Sequence, residues 1–347
     1  MDKMFIVIAS AMLFLVFSLI GNYNIQQLHP KEVFGDVVYY EEGLYATVMV
    51  RELPVKGYAL FFNGYSQGGY EIKDLRVNFL LSYLPKLINP EIGDALVIGL
   101  GTGVTSGQLS QLTKVKTIEI EPKVLEAANF FKVFNLDVLE NPNHELVIDD
   151  GRNHLLKNKE KYDVIVAEPT NTWQSFSTQL YSKEFLELAV EDLKENGLFV
   201  KWVPIYTMSV DDFRSFYNTF SSVFPHHVAF ANIKADEDTP VRFETSEIIL
   251  VGSKNRIDLD ESKLNENYNS LQEQSRNYLD AIGLGSGSDI YHLLLFTSEE
   301  MDDYAENSGL VTDDNLLLEF STAKKRLSQN PKAILDDINK FLEKDAE

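Results

Sequence analysis

Four short apolar runs, each about the length of one β-strand, end in glycine or in a carboxylate and thereby constrain the fold. Including the residues that end them, the four runs span residues 97–103, 117–122, 146–151 and 163–169. In an open parallel sheet the carboxyl ends of successive strands line one crevice, and ligands bind there. Glycine lets the backbone turn tightly and approach a ligand closely, while carboxylates accept hydrogen bonds. The pattern therefore predicts an α/β protein that holds a nucleoside-like molecule in this crevice.

The first strand end carries a glycine-rich turn, which consists of Gly99, Gly101, Thr102 and Gly103. Val104 stands where a dinucleotide-binding fingerprint has its third glycine, which weakens the hypothesis of a nicotinamide-dependent dehydrogenase. Glu119 follows about 20 residues later, where an acidic residue can accept hydrogen bonds from both ribose hydroxyls. A solvated carboxylate is the alternative interpretation of Glu119. Together, the turn and the carboxylate predict a nucleoside site.

The third and fourth strand ends carry Asp150, followed by Gly151, and Glu168, followed by Pro169. Asp150 can accept a hydrogen bond from an adenine amino group or cap the helix predicted over residues 152–156, and both roles are compatible. Proline disfavours helical geometry in the residue before it, so Glu168 stays extended and its carboxylate projects into the crevice. There it can bind an amine or take its proton. Glu168 is therefore the predicted catalytic residue.

Two aromatic residues and one serine are further candidates. Trp173 and Tyr206 can wall the same pocket, although packing in the core would explain each of them alone. Residues 64–68 fit the G-x-S-x-G pattern of hydrolase nucleophiles. However, no apolar helix start follows Ser66. The sequence therefore argues against a hydrolase.

Composition excludes other classes of function. The formal net charge of -22 argues against a nucleic-acid partner, because phosphate binding needs a basic surface. The charge suits a cationic small molecule, although solubility alone explains it. The chain has no cysteine, which excludes disulfides and thiolate chemistry. Its six histidines show no metal-ligand spacing, so we expect no metal site.

The predicted elements divide the chain into five parts. These are a membrane anchor or signal segment (residues 1–21), a linker (22–33), a small N-terminal β domain (34–75), a Rossmann-like nucleoside-binding catalytic domain (76–253) and a mostly helical, acidic C-terminal extension (254–347). Three strand-like runs, 36–40, 44–51 and 58–63, indicate an antiparallel sheet in the β domain. Strands and helices then alternate, which is typical of a parallel sheet. The clearest later elements are helices over 75–87 and 182–195 and a strand over 198–204.

The uncharged apolar run of residues 4–20 predicts membrane attachment. Its 17 residues are at the short limit for a helix that spans a bilayer, and a cleaved signal peptide is the alternative. Lys3 precedes the run and favours a cytoplasmic N-terminus only weakly, because Asp2 lies beside it. We expect a single-pass anchor.

Five short segments resemble the spermidine synthase (polyamine aminopropyltransferase) family, most closely its membrane-associated branch. They are residues 149–156, 162–165, 168–173, 312–315 and 318–320, and the resemblance extends from about residue 34 to residue 320. It implies a Rossmann-like S-adenosylmethionine-dependent transferase fold with a small N-terminal antiparallel β domain. It also implies transfer of an aminopropyl group from decarboxylated S-adenosylmethionine to the amine of a polyamine, release of methylthioadenosine, and a homodimer.

The roles of single residues follow from this resemblance. The glycine-rich turn would cradle the nucleoside, Glu119 would hold the ribose, and Asp150 with Gly151 would hold the adenine. Gln67 matches a glutamine that lies near the substrate in the family. The other predicted substrate-binding residues are Asn171, Trp173 and Tyr206.

Three departures from the family's pattern concern the binding of amines. Thr102 replaces an aspartate that binds the aminopropyl amine. The catalytic Asp-Ser-Ser-Asp-Pro segment begins here with Glu168 and carries the neutral Asn171. A Tyr-His pair of the family appears as Val77 and Asn78. The nucleoside-binding half is therefore retained, whereas the polyamine-binding half is changed.

Two alternative functions stay open at this point. Without the aspartate at position 102, the carboxylate of intact S-adenosylmethionine would meet no negative charge, so methyl transfer on the same fold is the first. The second is a non-catalytic, membrane-tethered binder of a nucleoside or a polyamine. A cytoplasmic N-terminus before a single span would place the catalytic domain outside the cell. Because S-adenosylmethionine is a cytosolic metabolite, the chemistry outweighs the weak signal of Lys3, and we expect the catalytic domain on the cytoplasmic side of the membrane.

Overall fold

Two β-sheets organise the part of the chain that the computed structural model describes, namely residues 35–54, 57–168, 172, 174–232, 245–301, 303–315, 317–325 and 331–345. The smaller sheet has four strands in chain order, and each pairs antiparallel with the next. Its strands are β1 (Val37–Glu42), β2 (Thr47–Leu53), β3 (Gly57–Phe62) and β4 (Tyr65–Gly69). The predicted antiparallel sheet in the N-terminal part of the chain is confirmed.

Strand β4 adds to the three strands that the sequence predicts. Its residues, Tyr-Ser-Gln-Gly-Gly, lack the alternating apolar side chains that indicate a strand. Asn63 and Gly64 join β3 to β4 with φ angles of 50° and 82°, and such positive angles are what a two-residue hairpin turn requires. The hairpin carries Gln67 toward the larger sheet.

The larger sheet has eight strands in the order β12-β10-β11-β9-β8-β5-β6-β7. They are β5 (Asp94–Ile98), β6 (Lys114–Glu119), β7 (His144–Ile148), β8 (Tyr162–Ala167), β9 (Leu193–Val203), β10 (His226–Ala231), β11 (Ile248–Ser253) and β12 (Leu294–Thr297). Five neighbouring strands are parallel, in the spatial order β9-β8-β5-β6-β7. Strands β11, β10 and β12 continue the sheet beyond β9 in antiparallel pairs. The predicted α/β, Rossmann-like fold is confirmed. The strand order reverses at β5, which lies between β6 and β8, and such a switch point opens a crevice for ligands.

Helices cover both faces of this sheet. The α-helices are Ile72–Ile88, Val104–Leu109, Val124–Ala128, Lys132–Asn135, Gly151–Lys157, Ser175–Thr178, Lys183–Asp192, Val210–Val223, Glu261–Ser270, Glu273–Ala281, Gly287–Tyr291, Leu317–Lys325 and Pro331–Asp345. Ala95 and Val97 of β5 pack into one buried layer, and Leu96 and Ile98 pack into the other. This alternation follows from the two-residue period of a strand, and it explains why β5 is apolar on both sides.

The helix predicted over residues 182–195 is shorter than expected. It ends at Asp192, and strand β9 begins directly at Leu193 rather than near residue 198. The register between β8 and β9 shifts here, because Leu193 pairs with Tyr162 but Leu198 pairs with Val164. The Asn-Gly pair at 196–197 therefore lies in an irregular part of strand β9.

Residues after 253 contribute to both layers of the core. The sequence predicts a mostly helical extension there, and the structure shows that it also supplies the edge strand β12. Leu264 and Ile290 are buried against one face of the large sheet, whereas Ile334 and Ile338 are buried against the other. This segment therefore completes the core that supports the crevice.

Within the described ranges, no helix is long and apolar enough to cross a membrane. The apolar run of residues 4–20, which is the predicted anchor, lies outside the described residues. Its attachment to a membrane stays a prediction.

Candidate functional site

A cavity of about 450 Å³ lies at the carboxyl ends of the parallel strands, next to strand β4. The loops that follow β5, β6, β7 and β8 all contribute to its wall. The predicted site residues that line it are Gln67, Gly99, Gly101, Thr102, Glu119, Asp150, Gly151, Glu168 and Tyr206. Gly103 lies at the same turn as the N-cap of helix Val104–Leu109. Asn171 and Trp173 lie outside the described residues.

The glycine-rich turn passes close to the fourth strand end. Gly99 has a φ of 101°, and a Cβ atom built on it would lie 2.9 Å from the carbonyl oxygen of Glu168. Its N–H donates to the carbonyl of Ile118 at 2.9 Å, which ties the turn to β6. Only glycine fits this conformation and this space. The turn therefore exposes backbone atoms to the cavity at a place where a side chain would occupy the space.

Glu119 is the last residue of β6 and lies in the floor of the cavity. Its Oε2 accepts a hydrogen bond from the N–H of Leu100 at 2.8 Å, and its Oε1 accepts one from the N–H of Glu121 at 2.8 Å. Burial raises the pKa of Glu119, and these N–H donors oppose that rise. The carboxylate is therefore fixed by backbone donors and lines the cavity, where it can meet a bound ligand.

Asp150 both caps a helix and lines the cavity. Its Oδ1 accepts a hydrogen bond from the N–H of Asn153 at 2.8 Å, so the predicted N-cap of helix Gly151–Lys157 is confirmed. Its Oδ2 accepts one from Gln179 Nε2 at 3.4 Å. A Cβ atom on Gly151 would lie 2.4 Å from Ile98 Cγ2, so glycine lets this turn pack directly onto β5. The adenine-binding role of the turn stays a prediction.

Glu168 follows β8 and extends into the cavity, as predicted from Pro169. Its N–H donates to the carbonyl of Ile98 at 3.1 Å. Its Oε1 accepts from Asn78 Nδ2 at 2.7 Å, and its Oε2 accepts from Thr105 Oγ1 at 2.8 Å. Burial raises the pKa of Glu168 to about 7, although both donors oppose the rise. Glu168 is therefore held in place and able to take up a proton near neutral pH.

The carboxylates of Asp74 and Glu247 also line the cavity, and neither was predicted from the sequence. Glu247 accepts hydrogen bonds from Trp202 Nε1 at 3.3 Å and from Asn232 Nδ2 at 2.9 Å. Burial raises the pKa of Glu247 to about 7, and the negative charge of Asp74 adds to the rise. Burial likewise raises the pKa of Asp74 to about 6. With Glu168 they form the acidic half of the cavity.

Residues from the small sheet close the cavity on one side. Gln67 lies on β4, and its Nε2 donates to the carbonyls of Tyr65 and Ser66 at 3.1 Å. Ser66, the serine of the G-x-S-x-G pattern, is exposed within β4. A hydrolase nucleophile of that pattern lies at a sharp turn between a strand and a helix, so the position of Ser66 does not fit one.

The family comparison agrees with this geometry. Residues 76–235 match the family model of the spermine/spermidine synthase domain. A polyamine aminopropyltransferase of Thermotoga petrophila is 27% identical over 149 residues, which cover 42% of this chain and 50% of that protein. One of Sulfurisphaera tokodaii is 28% identical over 213 residues, which cover 58% of this chain and 70% of that protein. The chain thus spans about half the length of the first relative.

Comparison with a solved structure supports the Rossmann-like fold. A spermidine synthase in complex with the transition-state analogue AdoDATO superposes with a TM-score of 0.58 at 21% identity, and the match covers 69% of this chain and 79% of that one. At this identity the likeness shows the fold alone. The sequence matches support the family that the sequence resembles, whereas its membrane-associated branch stays a prediction.

Proposed function

We propose that this chain is a transferase that moves an aminopropyl group from decarboxylated S-adenosylmethionine to an amine, because residues 76–235 match the family model of the spermine/spermidine synthase domain. One observation carries the proposal. A single cavity of about 450 Å³ joins the glycine-rich turn and Glu119 to a half that is lined by three carboxylates. A cavity of this size holds a small molecule, and its two halves suit the two substrates.

The donor is assigned to the half that is built by the parallel strand ends. The backbone of the glycine-rich turn lies open to the cavity, and the Glu119 carboxylate lies in the floor of the same half, where it can contact a ribose. The turn of Asp150 and Gly151 lies where it can contact a base. Thr102 adds no charge at the glycine-rich turn, and the acidic half lies beyond it.

The acceptor is assigned to the acidic half. The raised pKa values of Asp74, Glu168 and Glu247 show that burial disfavours their charged forms. An alkylammonium placed among them would restore the charged forms, because an opposite charge within about 4–6 Å stabilises a carboxylate. Glu168 lies next to the glycine-rich turn and thus nearest the donor, so it faces the reacting amine. Asp74 and Glu247 are left for a second amine, which favours a diamine or a longer polyamine.

The proposed step is a displacement at carbon. Glu168 accepts a proton from the acceptor ammonium, and the freed nitrogen lone pair forms a C–N bond to the carbon next to the sulfonium. The C–S bond breaks with its electron pair going to sulfur, which yields methylthioadenosine. Holding both substrates in one cavity supplies much of the rate gain, because positioning replaces a bimolecular encounter.

Product analysis tests the proposal. The purified chain is incubated with a pool of polyamines and either decarboxylated or intact S-adenosylmethionine, and mass spectrometry identifies the nucleoside product. We expect methylthioadenosine, formed only when both the decarboxylated donor and an amine are present. S-Adenosylhomocysteine from the intact donor would instead show a methyltransferase, and neither product would show a binding protein.

Membrane attachment through residues 4–20, with the catalytic part on the cytoplasmic side, belongs to the same proposal. It is supported by the apolar composition of this run and by the resemblance to the membrane-associated branch. We expect the full-length chain to sediment with membranes and a variant that lacks residues 1–21 to stay in the supernatant. Sedimentation of both forms would contradict the assignment of this run. The homodimer implied by the resemblance also stays a proposal.

A further inference from the structure

A segment near the end of the chain docks beside the cavity wall. Residues 311–315, here called the C-terminal strap, contact the start of helix Lys183–Asp192. The carbonyl of Val311 accepts a hydrogen bond from the N–H of Lys183 at 2.9 Å. The N–H of Asp313 donates to Glu184 Oε2 at 3.0 Å. The strap itself does not line the cavity, so any effect on the site must pass through other residues.

A two-pronged ion pair joins the strap to the cavity wall. Arg152 Nη1 donates to Asp313 Oδ1 at 2.5 Å, and Nη2 donates to Oδ2 of the same carboxylate. The side chains are 18% and 33% exposed. The Arg152 guanidinium lowers the pKa of Asp313. Arg152 directly follows Asp150 and Gly151, which both line the cavity, so the ion pair fixes the helical turn that presents them.

The strap also holds the segment that faces Asp150 across the cavity edge. Ser177 and Leu180 line the cavity, and Gln179 donates to Asp150. This segment leads directly into Lys183, whose N–H is bound by the strap. Two elements of the base-binding wall, the Asp150 turn and the Gln179 segment, therefore share the strap as a common support.

We propose that Asp313 is a positioning residue for the nucleoside half of the cavity and acts through Arg152 on the turn of Asp150 and Gly151. The inference rests on the proposed function, since it needs a nucleoside in that half. Asp313 touches no substrate in this assignment. Its loss therefore weakens the binding of the nucleoside and leaves the acceptor amine and the chemical step unaffected.

A second ion pair of the same kind provides a matched control. Arg214 Nε and Nη2 donate to the two carboxylate oxygens of Asp337, both at 2.8 Å. The side chains of Arg214 and Asp337 are 37% and 21% exposed, which is comparable with the exposure of Arg152 and Asp313. This pair joins helix Val210–Val223 to helix Pro331–Asp345, and neither residue lines the cavity. Asp337→Asn therefore makes the same chemical change without a link to the site.

Calorimetric titration with methylthioadenosine, on the full-length wild-type, Asp313→Asn and Asp337→Asn chains, tests the proposal. We expect the Kd to rise about tenfold in Asp313→Asn, the scale on which residues remote from a ligand modulate its binding, and to stay unchanged in Asp337→Asn. Arg152→Lys keeps the charge but loses the two-pronged geometry, and we expect it to weaken binding as well. In steady-state assays Asp313→Asn should raise the KM for the donor and leave both kcat and the KM for the amine unchanged.

The outcomes separate this inference from the proposed function. If wild type binds methylthioadenosine and Asp313→Asn binds it equally well, the positioning role is wrong and the proposed function is untouched. If Asp337→Asn weakens binding as much as Asp313→Asn, the effect is general destabilisation and the positioning role is again wrong. If wild type binds no nucleoside, both proposals fall. Thermal unfolding of each variant ensures that binding is compared between folded proteins.

Discussion

Replacement of Glu168 by glutamine is expected to lower kcat by about 10²- to 10⁴-fold, which is the usual contribution of a general base. Glutamine has nearly the shape of glutamate but cannot take a proton from the acceptor ammonium. Asn78 can still donate to its amide oxygen, so we expect no loss of stability. Binding of methylthioadenosine should survive, because Glu119 and the glycine-rich turn are unchanged. Rates at saturating donor and amine, with calorimetric nucleoside binding, measure the two effects separately.

The same residue predicts how the rate depends on pH. Burial raises the pKa of Glu168 to about 7, and only the carboxylate form can accept the proton. The value of kcat/KM for the amine should therefore fall as the pH drops below about 7. This acid limb should be weaker in the residual activity of Glu168→Gln, in which only the amine-binding carboxylates Asp74 and Glu247 still titrate in this range. An unchanged pH profile in the variant would show that another group takes the proton.

Glu247→Gln is the matched control for Glu168→Gln. Both carboxylates line the cavity, and burial raises both pKa values to about 7. If Glu168 is the base and Glu247 binds a distant ammonium, Glu247→Gln raises the KM for the amine and largely retains kcat. Equal losses of kcat in the two variants would contradict the distinct role of Glu168.

The nucleoside half of the site is predictable because its residues stand at the ends of parallel strands. Gly99, Glu119 and Asp150 each lie at or just after the end of an apolar run, and the parallel register of β5, β6 and β7 brings those ends together. No side-chain contact has to be known for this argument. The fold alone places them along one edge of the sheet.

The acidic half is not predictable by the same argument. Glu247 precedes β11, and β11 runs antiparallel to β9, with Ile248 paired to Val203. The amino end of β11 therefore meets the carboxyl ends of the parallel strands, which brings Glu247 to the cavity. The sequence of β11 is apolar and carries no signal of its direction. Asp74 likewise belongs to no motif and reaches the cavity only because the hairpin of β3 and β4 delivers helix Ile72–Ile88 there.

Lys201 in the core is another residue whose environment could not be predicted from the sequence. The sequence predicts a strand over residues 198–204, and lysine is almost never fully buried unless it is paired. The structure instead covers both faces of β9, and Lys201 is 0% exposed. Within the described ranges its Nζ has no hydrogen-bond partner, and it lies 3.8 Å from the centre of the Tyr181 ring. Burial lowers the pKa of Lys201 well below its ordinary value.

Lys201→Met is therefore expected to stabilise the protein at pH 7 by about 2 kcal/mol, since a buried unpaired polar group costs about 1–3 kcal/mol. Methionine has a similar unbranched length and suits an apolar environment. In the unfolded wild type the Lys201 amine keeps its proton up to about pH 10. Burial in the folded protein favours the neutral amine, so folding releases this proton. The stability of the wild type therefore falls as the pH falls below about 10. The advantage of methionine should thus be larger at pH 7 than at pH 9. Urea unfolding at both pH values measures it.

Two further variants decide whether burial of the amine is the cause. Lys159 is exposed, and Lys159→Met should change stability by less than about 0.5 kcal/mol, as surface substitutions usually do. The Tyr181 hydroxyl is also buried without a partner among the described residues, so Tyr181→Phe should not destabilise the protein. If Lys201→Met and Tyr181→Phe both unfold more easily than wild type, the amine and the tyrosine stabilise each other in the folded state. An advantage of methionine that is equal at pH 7 and pH 9 would show that folding does not change the proton on Lys201.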